Sequence, residues 1–530
     1  MTVRPCTARG AVAHERATRA PWARAAVTAA FSIGLLSACG GGDGGGGGGG
    51  AVAGGTSSKD AAQVCAPTNP YIADALEPTT LGSLDNEKAW LHTYMSGAYL
   101  WYGEMPTVDA RAAQYSVAAD VEGSMDKYFQ ALKTPAFTPS GKRRDQFSFT
   151  YPTKAWNDLI NSGTVYGYGI EWYWNSPTPP RGIRIAYIEP GSPAATAGLQ
   201  RGDVLVTTDG VGADDGTTAG VNKLTDALFP SVIGQAHTFT FSRPGSSPSV
   251  QLVSANVTKH PVPTTQVLNH GGKKVGYIVF HDHMASAEQP LIDAVNTLKT
   301  AGIDDLVLDL RYNGGGYLYI ASELAYMIAG GASTNGKVFE QLQFNDKRSA
   351  DNASPESRTP FYTGSCILNA QRMCTNRQPL PTLGLSRVTV IATGSTCSAS
   401  ESIINGLRGV DVDVRVIGDT TCGKPYGFTA KDNCGISYFP IEFKGINAKG
   451  SGDYADGFAP TCAANDDFGH ALGDANETML ASALYLQQNG SCQAIARAPE
   501  RGALQARTGQ QPRLVRGPER ESRILLPQDR

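Results

Sequence analysis

The sequence shows no excess of charge of either sign: 45 Lys and Arg stand against 48 Asp and Glu in 530 residues, for a formal net charge of -3. A nucleic-acid partner reads a basic face, and the overall charge gives no reason to expect one. Metal-binding vocabulary is equally thin. The 8 histidines form no cluster and the ten cysteines contain no CxxC pair, which removes the commonest zinc spacings. The glycine run Asn313-Gly314-Gly315-Gly316 carries neither GxxxxGK[ST] nor GxGxxG, so it does not read as a phosphate cradle. Beyond residue 39 no stretch has the length and apolarity to span a membrane. With 41% hydrophobic and 18% charged residues, the bulk of the chain is that of a folded body rather than a disordered one.

What is present begins with a leader. Arg16, Arg19 and Arg24 precede an apolar stretch from Ala25 to Ala38, which ends Leu36-Ser37-Ala38-Cys39 with small residues before the cysteine. The stretch is shorter than the ~20 residues a bilayer span needs, so it reads as a signal peptide. It resembles a bacterial lipoprotein leader, which implies cleavage before Cys39, acylation of that cysteine and a membrane tether in the cell envelope. Gly40, where an aspartate is absent, implies the outer membrane, facing the periplasm or the cell surface. Residues 1–38 are then the leader and 39–57, dominated by glycine, a flexible tether. With Cys6 and Cys39 accounted for, Cys65, Cys366, Cys374, Cys397, Cys422, Cys434, Cys462 and Cys492 remain. In an oxidising compartment this even set defaults to disulfides, with the pairing left open.

Residues 58–160 show helical patterns around Glu87–Leu100 and Ser124–Leu132 and read as a small, mainly helical N-terminal domain. From 161 to 262 short β-type runs alternate with glycine. In IRIAYIEPGSPAATAGLQRGDVLVTTDG, alternating Ile183, Ile185 and Tyr187 make a strand, Pro193 and Ala194 open a short helix that Gly198 ends, and Gly202-Asp203 turns into a strand from Val204 to Thr207. This pattern resembles a PDZ domain. The resemblance implies that an extended peptide pairs with a sheet edge while backbone N–H groups of Gly167, Tyr168, Gly169 and Ile170 hold its terminal carboxylate. From 263 to 492 strands (Lys274–Phe280, Asp305–Leu310, Val388–Thr393, Val412–Ile417) alternate with helices (Ala287–Thr300, Ile320–Ala329, Ala399–Arg408), which describes an α/β layered domain. The fold class is multidomain α/β: a helical N-terminal domain, a PDZ-like β-rich domain and an α/β layered domain. Residues 493–530 are rich in Arg, Pro and Gln, lack periodicity and read as a disordered tail.

Three segments of the last domain carry chemistry: LVLDLRYNGGG at 306–316, TCSASES at 396–402 and GDTTCGKPYGF at 418–428. In the second, a strand ends at Thr393 and a small-residue turn delivers Ser398 to the start of a helix, whose first N–H groups face any oxyanion formed there. The same residues, Ser398-x-x-Glu401, also have the spacing of a helix capping box. Lys424 sits among Cys422, Gly423, Pro425, Tyr426 and Phe428. A lysine acts as a base only when neutral, a form that such apolar surroundings favour; the plainer reading is an exposed loop lysine.

Taken in this order and downstream of the PDZ-like segment, the three motifs resemble the carboxyl-terminal processing, or tail-specific, protease family over roughly 161–488. That resemblance implies Ser398 as nucleophile, Lys424 as general base, and the N–H groups of Ala399 and Gly315 as oxyanion hole. It further implies an acyl-enzyme route, protein or peptide substrates with free C-terminal tails, and no cofactor or metal. Two departures stand out. The spacing from Ser398 to Lys424 is one residue longer than is usual, and Phe428 occupies the position where members often carry glutamine. Asp309 and Arg311 read as structural. His281, His283 and His470 are the alternative bases of a Ser-His arrangement, and the alternative function is a non-catalytic peptide-binding lipoprotein on the same scaffold.

Overall fold

The computed structural model describes residues 60–493, apart from 163, 231 and 369–373, together with 513–515 and 523–525. The leader, Cys39 and the tether lie outside the described residues. Among those described, no helix is long and apolar enough to cross a membrane.

Two helices organise the N-terminal segment. α1 (Leu84–Ala98) begins at Ser83, whose hydroxyl accepts from the Asn86 N–H, and α2 (Val121–Leu132) begins at Asp120, whose carboxylate accepts from the Gly123 N–H. Each cap satisfies a donor that the first helical turn leaves open. Leu91, Met95, Phe129 and Leu132 are fully buried beneath them. The expectation of a separate domain over 58–160 is corrected here, because this core is shared. It includes Phe428, Ile436, Tyr438 and Phe439; β1 (Phe149–Pro152) pairs antiparallel with Ile436–Phe439; and a disulfide joins Cys65 to Cys434 across 369 residues. The apolar faces of α1 and α2 are closed by strands from the far end of the chain.

The next module is built on five antiparallel strands of a seven-stranded sheet: β2 (Ile170–Trp174), β3 (Arg184–Ile188), β4 (Val204–Thr208), β5 (Ala236–Ser242) and β6 (Ser249–Val253), in the spatial order β6-β5-β4-β3-β2. Trp172, Ile185, Leu205, Phe239 and Phe241 form its own core. A short helix, Pro193–Thr196, is capped by the Ser192 hydroxyl.

The α/β domain comprises β7 (Thr264–His270), β8 (Lys273–Val279), α3 (Glu288–Ala301), β9 (Asp305–Asp309), β10 (Gly315–Tyr317), α4 (Leu318–Ala329), β11 (Arg387–Ala392), α5 (Ala399–Gly409), β12 (Asp413–Gly418), β13 (Tyr426–Gly427), β14 (Cys462–Ala463) and α6 (Thr478–Asn489). Its sheet runs β7-β8-β9-β11-β12-β14, antiparallel only between β7 and β8. One face packs on α3, α4 and α5 through Leu306, Leu308, Leu298, Leu324 and Ile403; the other packs on α6 through Val307, Ile391, Ile417 and Leu480. Helices on both faces explain why β9 is apolar at consecutive positions.

A second correction concerns the tail. β15 (Arg513–Val515) adds to the edge of β2, and β16 (Arg523–Leu525) pairs with β10, so these residues are strands rather than disordered chain. Their order comes from partners elsewhere in the sequence, which local periodicity does not report.

A buried ion network joins the β-rich module to the α/β domain. Arg311, 1% exposed, pairs with Asp309 and Glu477 at 2.8 Å and with Asp466 at 3.0 Å. Arg201, from the turn before β4, pairs with the same Asp466 at 2.7 Å and donates to Tyr312 Oη. Burial acts to raise Asp466, but the two guanidinium groups outweigh it and hold the carboxyl below the usual range. Removing one member strands the others: Arg311→Met is expected to lower unfolding free energy by about 3–5 kcal/mol. Urea denaturation reads this directly, and a loss below about 1 kcal/mol would show that the network carries little of the fold's stability.

Candidate active site

The loop that follows β9 and the turn that follows β11 are stitched together. Thr393 Oγ1 donates to the Arg311 carbonyl, Thr396 Oγ1 to the Leu310 carbonyl at 2.8 Å, and the Cys397 N–H and Ser400 Oγ both donate to the Asn313 carbonyl, at 3.1 and 3.0 Å. These bonds force an abrupt strand-to-helix turn at Ser398, which adopts φ 61°, ψ -121°. A non-glycine residue held there costs on the order of 1–3 kcal/mol, and the turn resembles the sharp strand-to-helix elbow that presents the nucleophile in α/β-hydrolases. The Ser398 side chain is buried, and its Oγ has no partner that meets hydrogen-bond geometry.

Beneath the turn lies the Glu401 carboxylate. It supplies the glutamate half of a capping box by accepting the Ser398 N–H at 3.0 Å on Oε2. The same oxygen accepts the Lys424 N–H at 2.8 Å, while Oε1 accepts the Gly423 N–H at 2.9 Å and the Thr421 hydroxyl at 2.5 Å. Burial raises the Glu401 pKa, and these four bonds to the charged form offset part of that rise. A disulfide between Cys397 and Cys422 joins the two loops a second time, with Cα atoms 5.2 Å apart. Among the described residues Cys397, Glu401 and Cys422 come close enough to hold a metal ion, but the two sulfurs are bonded to each other. One carboxylate therefore caps α5 and also fixes the backbone of Lys424. Only the first of these is local in sequence.

Lys424 is fully buried, with Nζ 4.6 Å from the centre of the Phe428 ring and 5.1 Å from that of Phe147. Phe428, the departure noted in the sequence, thus supplies an aromatic wall for the ammonium where an amide would offer a hydrogen bond. Gly423 adopts φ 87°, and a Cβ there would lie 2.3 Å from the Ala455 carbonyl, so the residue before Lys424 has to be glycine. Of the expected oxyanion donors, Ala399 is the first residue of α5, a position with no intrahelical acceptor for its N–H. The Gly315 N–H is instead engaged by Asn313 Oδ1 at 3.0 Å.

Asn313 emerges as an organiser that sequence reasoning missed: its Nδ2 donates to the Phe280 carbonyl, and its Oδ1 also lies 2.9 Å from His283 Nδ1. The histidines are used elsewhere. His283 is buried under the glycine loop and pushed down to about 3 by burial, only partly opposed by its bond to Asn313. His281 stacks on Tyr187 at 3.9 Å, and His470, exposed, pairs with Asp467 at 2.7 Å. None of them is bonded to Ser398 Oγ. Gly167, Tyr168, Gly169 and Ile170 form the turn leading into β2, where the Tyr168 and Gly169 carbonyls accept from the Ala194 and Glu189 N–H groups.

Residues 274–431 match the model of peptidase family S41. The chain is 31% identical over 169 residues to a carboxyl-terminal-processing protease of Picosynechococcus, covering 32% of this chain and 39% of the relative. It is 27% identical over 212 residues to a chloroplastic C-terminal processing peptidase of Tetradesmus obliquus, covering 38% and 44%. The chain therefore spans less than half the length of these curated relatives. A solved structure from Bacteroides fragilis described as an S41 protease superposes with a TM-score of 0.55 at 24% identity, over 76% of this chain and 97% of that one, and supports the fold alone.

The Glu401 hub makes a sharp expectation. Glu401→Gln replaces one acceptor oxygen by an NH2 group facing N–H donors, so two donors lose their partner at about 1–3 kcal/mol each. Chemical denaturation should report that loss, and amide exchange should accelerate at whichever of Gly423 and Lys424 faces the new NH2 group; unchanged protection at both would mean the carboxylate does not hold the second loop.

Proposed function

From an α/β domain that carries peptidase family S41, a family of serine-type peptidases, we propose that the protein is an exported, lipid-anchored serine endopeptidase that cleaves proteins or peptides recognised by their C-terminal tails. The observation that carries this reading is the strained, buried Ser398 held on the same carboxylate, Glu401, as the backbone of Lys424. In the proposed mechanism neutral Lys424 takes the Ser398 proton as Oγ attacks the scissile carbonyl. The tetrahedral oxyanion forms beside the Ala399 N–H at the start of α5, with the glycine loop at 314–316 supplying the second donor once the Gly315 N–H is released from Asn313. Protonated Lys424 then returns its proton to the leaving amine, and water attacks the acyl-enzyme by the reverse path. A PDZ role for the β-rich module is supported by the outer side of β2, which accepts an added antiparallel strand, and by the Gly167–Ile170 turn at its start, where a peptide carboxylate would bind.

Anchoring at Cys39, with Gly40 following, accounts for the outer-membrane location we propose, and four disulfides fit an oxidising compartment. Cys39→Ala should release the protein from the membrane fraction.

The mechanism is tested at its base. Lys424→Arg keeps the charge and the aromatic contacts, but a guanidinium keeps its proton at any working pH. Turnover should fall on the order of a million-fold, comparable to Ser398→Ala and mainly in kcat, while wild-type activity should rise with pH as the coupled pair loses its proton. A folded Lys424→Arg protein with substantial turnover eliminates lysine as the base. Absence of Ser398 labelling by a serine-directed acylating probe in active-site-competent protein would favour the non-catalytic peptide binder.

A further inference from the structure

We infer that the strands Arg513–Val515 and Arg523–Leu525 of this chain are internal occupants of its peptide groove, lying on the path by which a substrate reaches Ser398. The inference rests on the peptidase reading above and adds an occupant to that site. Four contacts carry it. β15 adds antiparallel to β2, with Arg513 opposite Trp174 and Val515 opposite Trp172, so the segment runs toward the Gly167–Ile170 turn in the sense expected of a peptide joining that edge. The Leu514 N–H donates to Ser395 Oγ at 2.9 Å, on the turn that delivers Ser398. The Leu514 side chain is buried with Tyr187 and Tyr312 at the seam between the β-rich module and the α/β domain. β16 pairs in parallel with β10, Arg523 opposite Gly315 and Leu525 opposite Tyr317, and lies against β13, which begins two residues after Lys424.

Two short strands near the C-terminus therefore cover the outer edge of β2, the turn before the serine, the glycine loop and the strand after the lysine. Strand addition draws its affinity from main-chain groups, so the segment needs no particular sequence to compete with a substrate. Being tethered, it also competes at an effective concentration on the order of 1 mM, so that against an intrinsic affinity of ~100 μM it weakens the apparent affinity of a free peptide about tenfold. The composition that suggested a disordered tail is compatible with this role, because a segment without its own core folds only against a partner.

Proline cannot donate to a ladder and is excluded from paired positions, so the full-length double variant Leu514→Pro/Ile524→Pro should empty the groove without touching catalytic residues. Labelling of Ser398 by an acylating probe and turnover of a reporter peptide should both rise on the order of tenfold, and an added synthetic peptide of residues 511–527 should reverse both. The same peptide carrying a fluorophore should bind the double variant, by anisotropy, at least several-fold more tightly than it binds wild type, whose groove is filled. Equal labelling together with equal anisotropy in the two proteins overturns the inference. If neither protein takes the probe or cuts any peptide, it is the peptidase reading that fails, and the anisotropy difference still decides whether the groove is occupied. An unchanged thermal midpoint shows that the double variant is folded; should it drop, the two single proline variants provide the same comparison.

Discussion

The candidate site depends on one buried carboxylate. Glu401 receives N–H groups from two loops that are separate in sequence, one ending at Ser398 and one ending at Lys424. Desolvation alone would drive such an acid to its neutral form, and the charge is tolerable because every bond it accepts favours the ionised state. The geometry follows from valence: two oxygens offer several lone-pair directions in a plane, so donors from both loops must converge on that plane, and the serine and lysine backbones are brought together as a result. The Cys397–Cys422 disulfide spans the same gap covalently, which reduces the freedom of the two loops when Glu401 is unpaired, in the unfolded chain as well as in partly open states.

Much of the α/β domain is legible in the sequence because its physics is local. Asp305–Asp309 is apolar at consecutive positions since helices cover both faces, and Leu318–Ala329 and Ala399–Gly409 have the length and composition that a sheet-covering helix requires. The N-terminal segment is less legible because the residues that complete its core, Phe428, Ile436 and Phe439, lie some three hundred positions away, and no periodicity within 58–160 announces them. Ser398 and Lys424 could be singled out by motif, whereas the bond from the Lys424 N–H to Glu401 could not: the capping box already accounts for a glutamate at that position, and nothing local asks for a second function. Asn313 was hidden in the same way inside a glycine run whose meaning seemed to lie in its glycines.

Phe428 illustrates how a departure from a family pattern becomes intelligible only in three dimensions. An amide at that position would orient a lysine through a directional bond. The aromatic pair Phe428 and Phe147 constrains Nζ by shape and by the negative face of each ring while excluding water. The two devices pull differently on the proton: ring faces favour the ammonium, and exclusion of water disfavours it. Reactivity in the proposed mechanism therefore depends on how dry the pocket is, which the N-terminal segment helps decide, since Phe147 belongs to it and Phe428 is part of the shared core.

That coupling gives the shared core a role beyond stability. In a chain where the N-terminal helices formed their own domain, loosening them would leave the lysine pocket intact. Here Trp90, Phe129 and Trp156 pack in the same cluster as Phe428, and the Cys65–Cys434 disulfide fixes the segment beside the strand Ile436–Phe439, whose Phe439 ring lies 5.5 Å from that of Phe428. Any motion that separates α1 and α2 from Ile436–Phe439 admits water beside Lys424 and so favours its charged, non-basic form. The same consideration applies on the opposite side of the site, where Arg201 and Arg311 share Asp466 and hold the β-rich module against the loop after β9. The serine turn is thus bounded by one contact that is apolar and one that is ionic. Both are buried, and buried ion pairs are screened little by salt, so neither side is expected to yield as ionic strength changes.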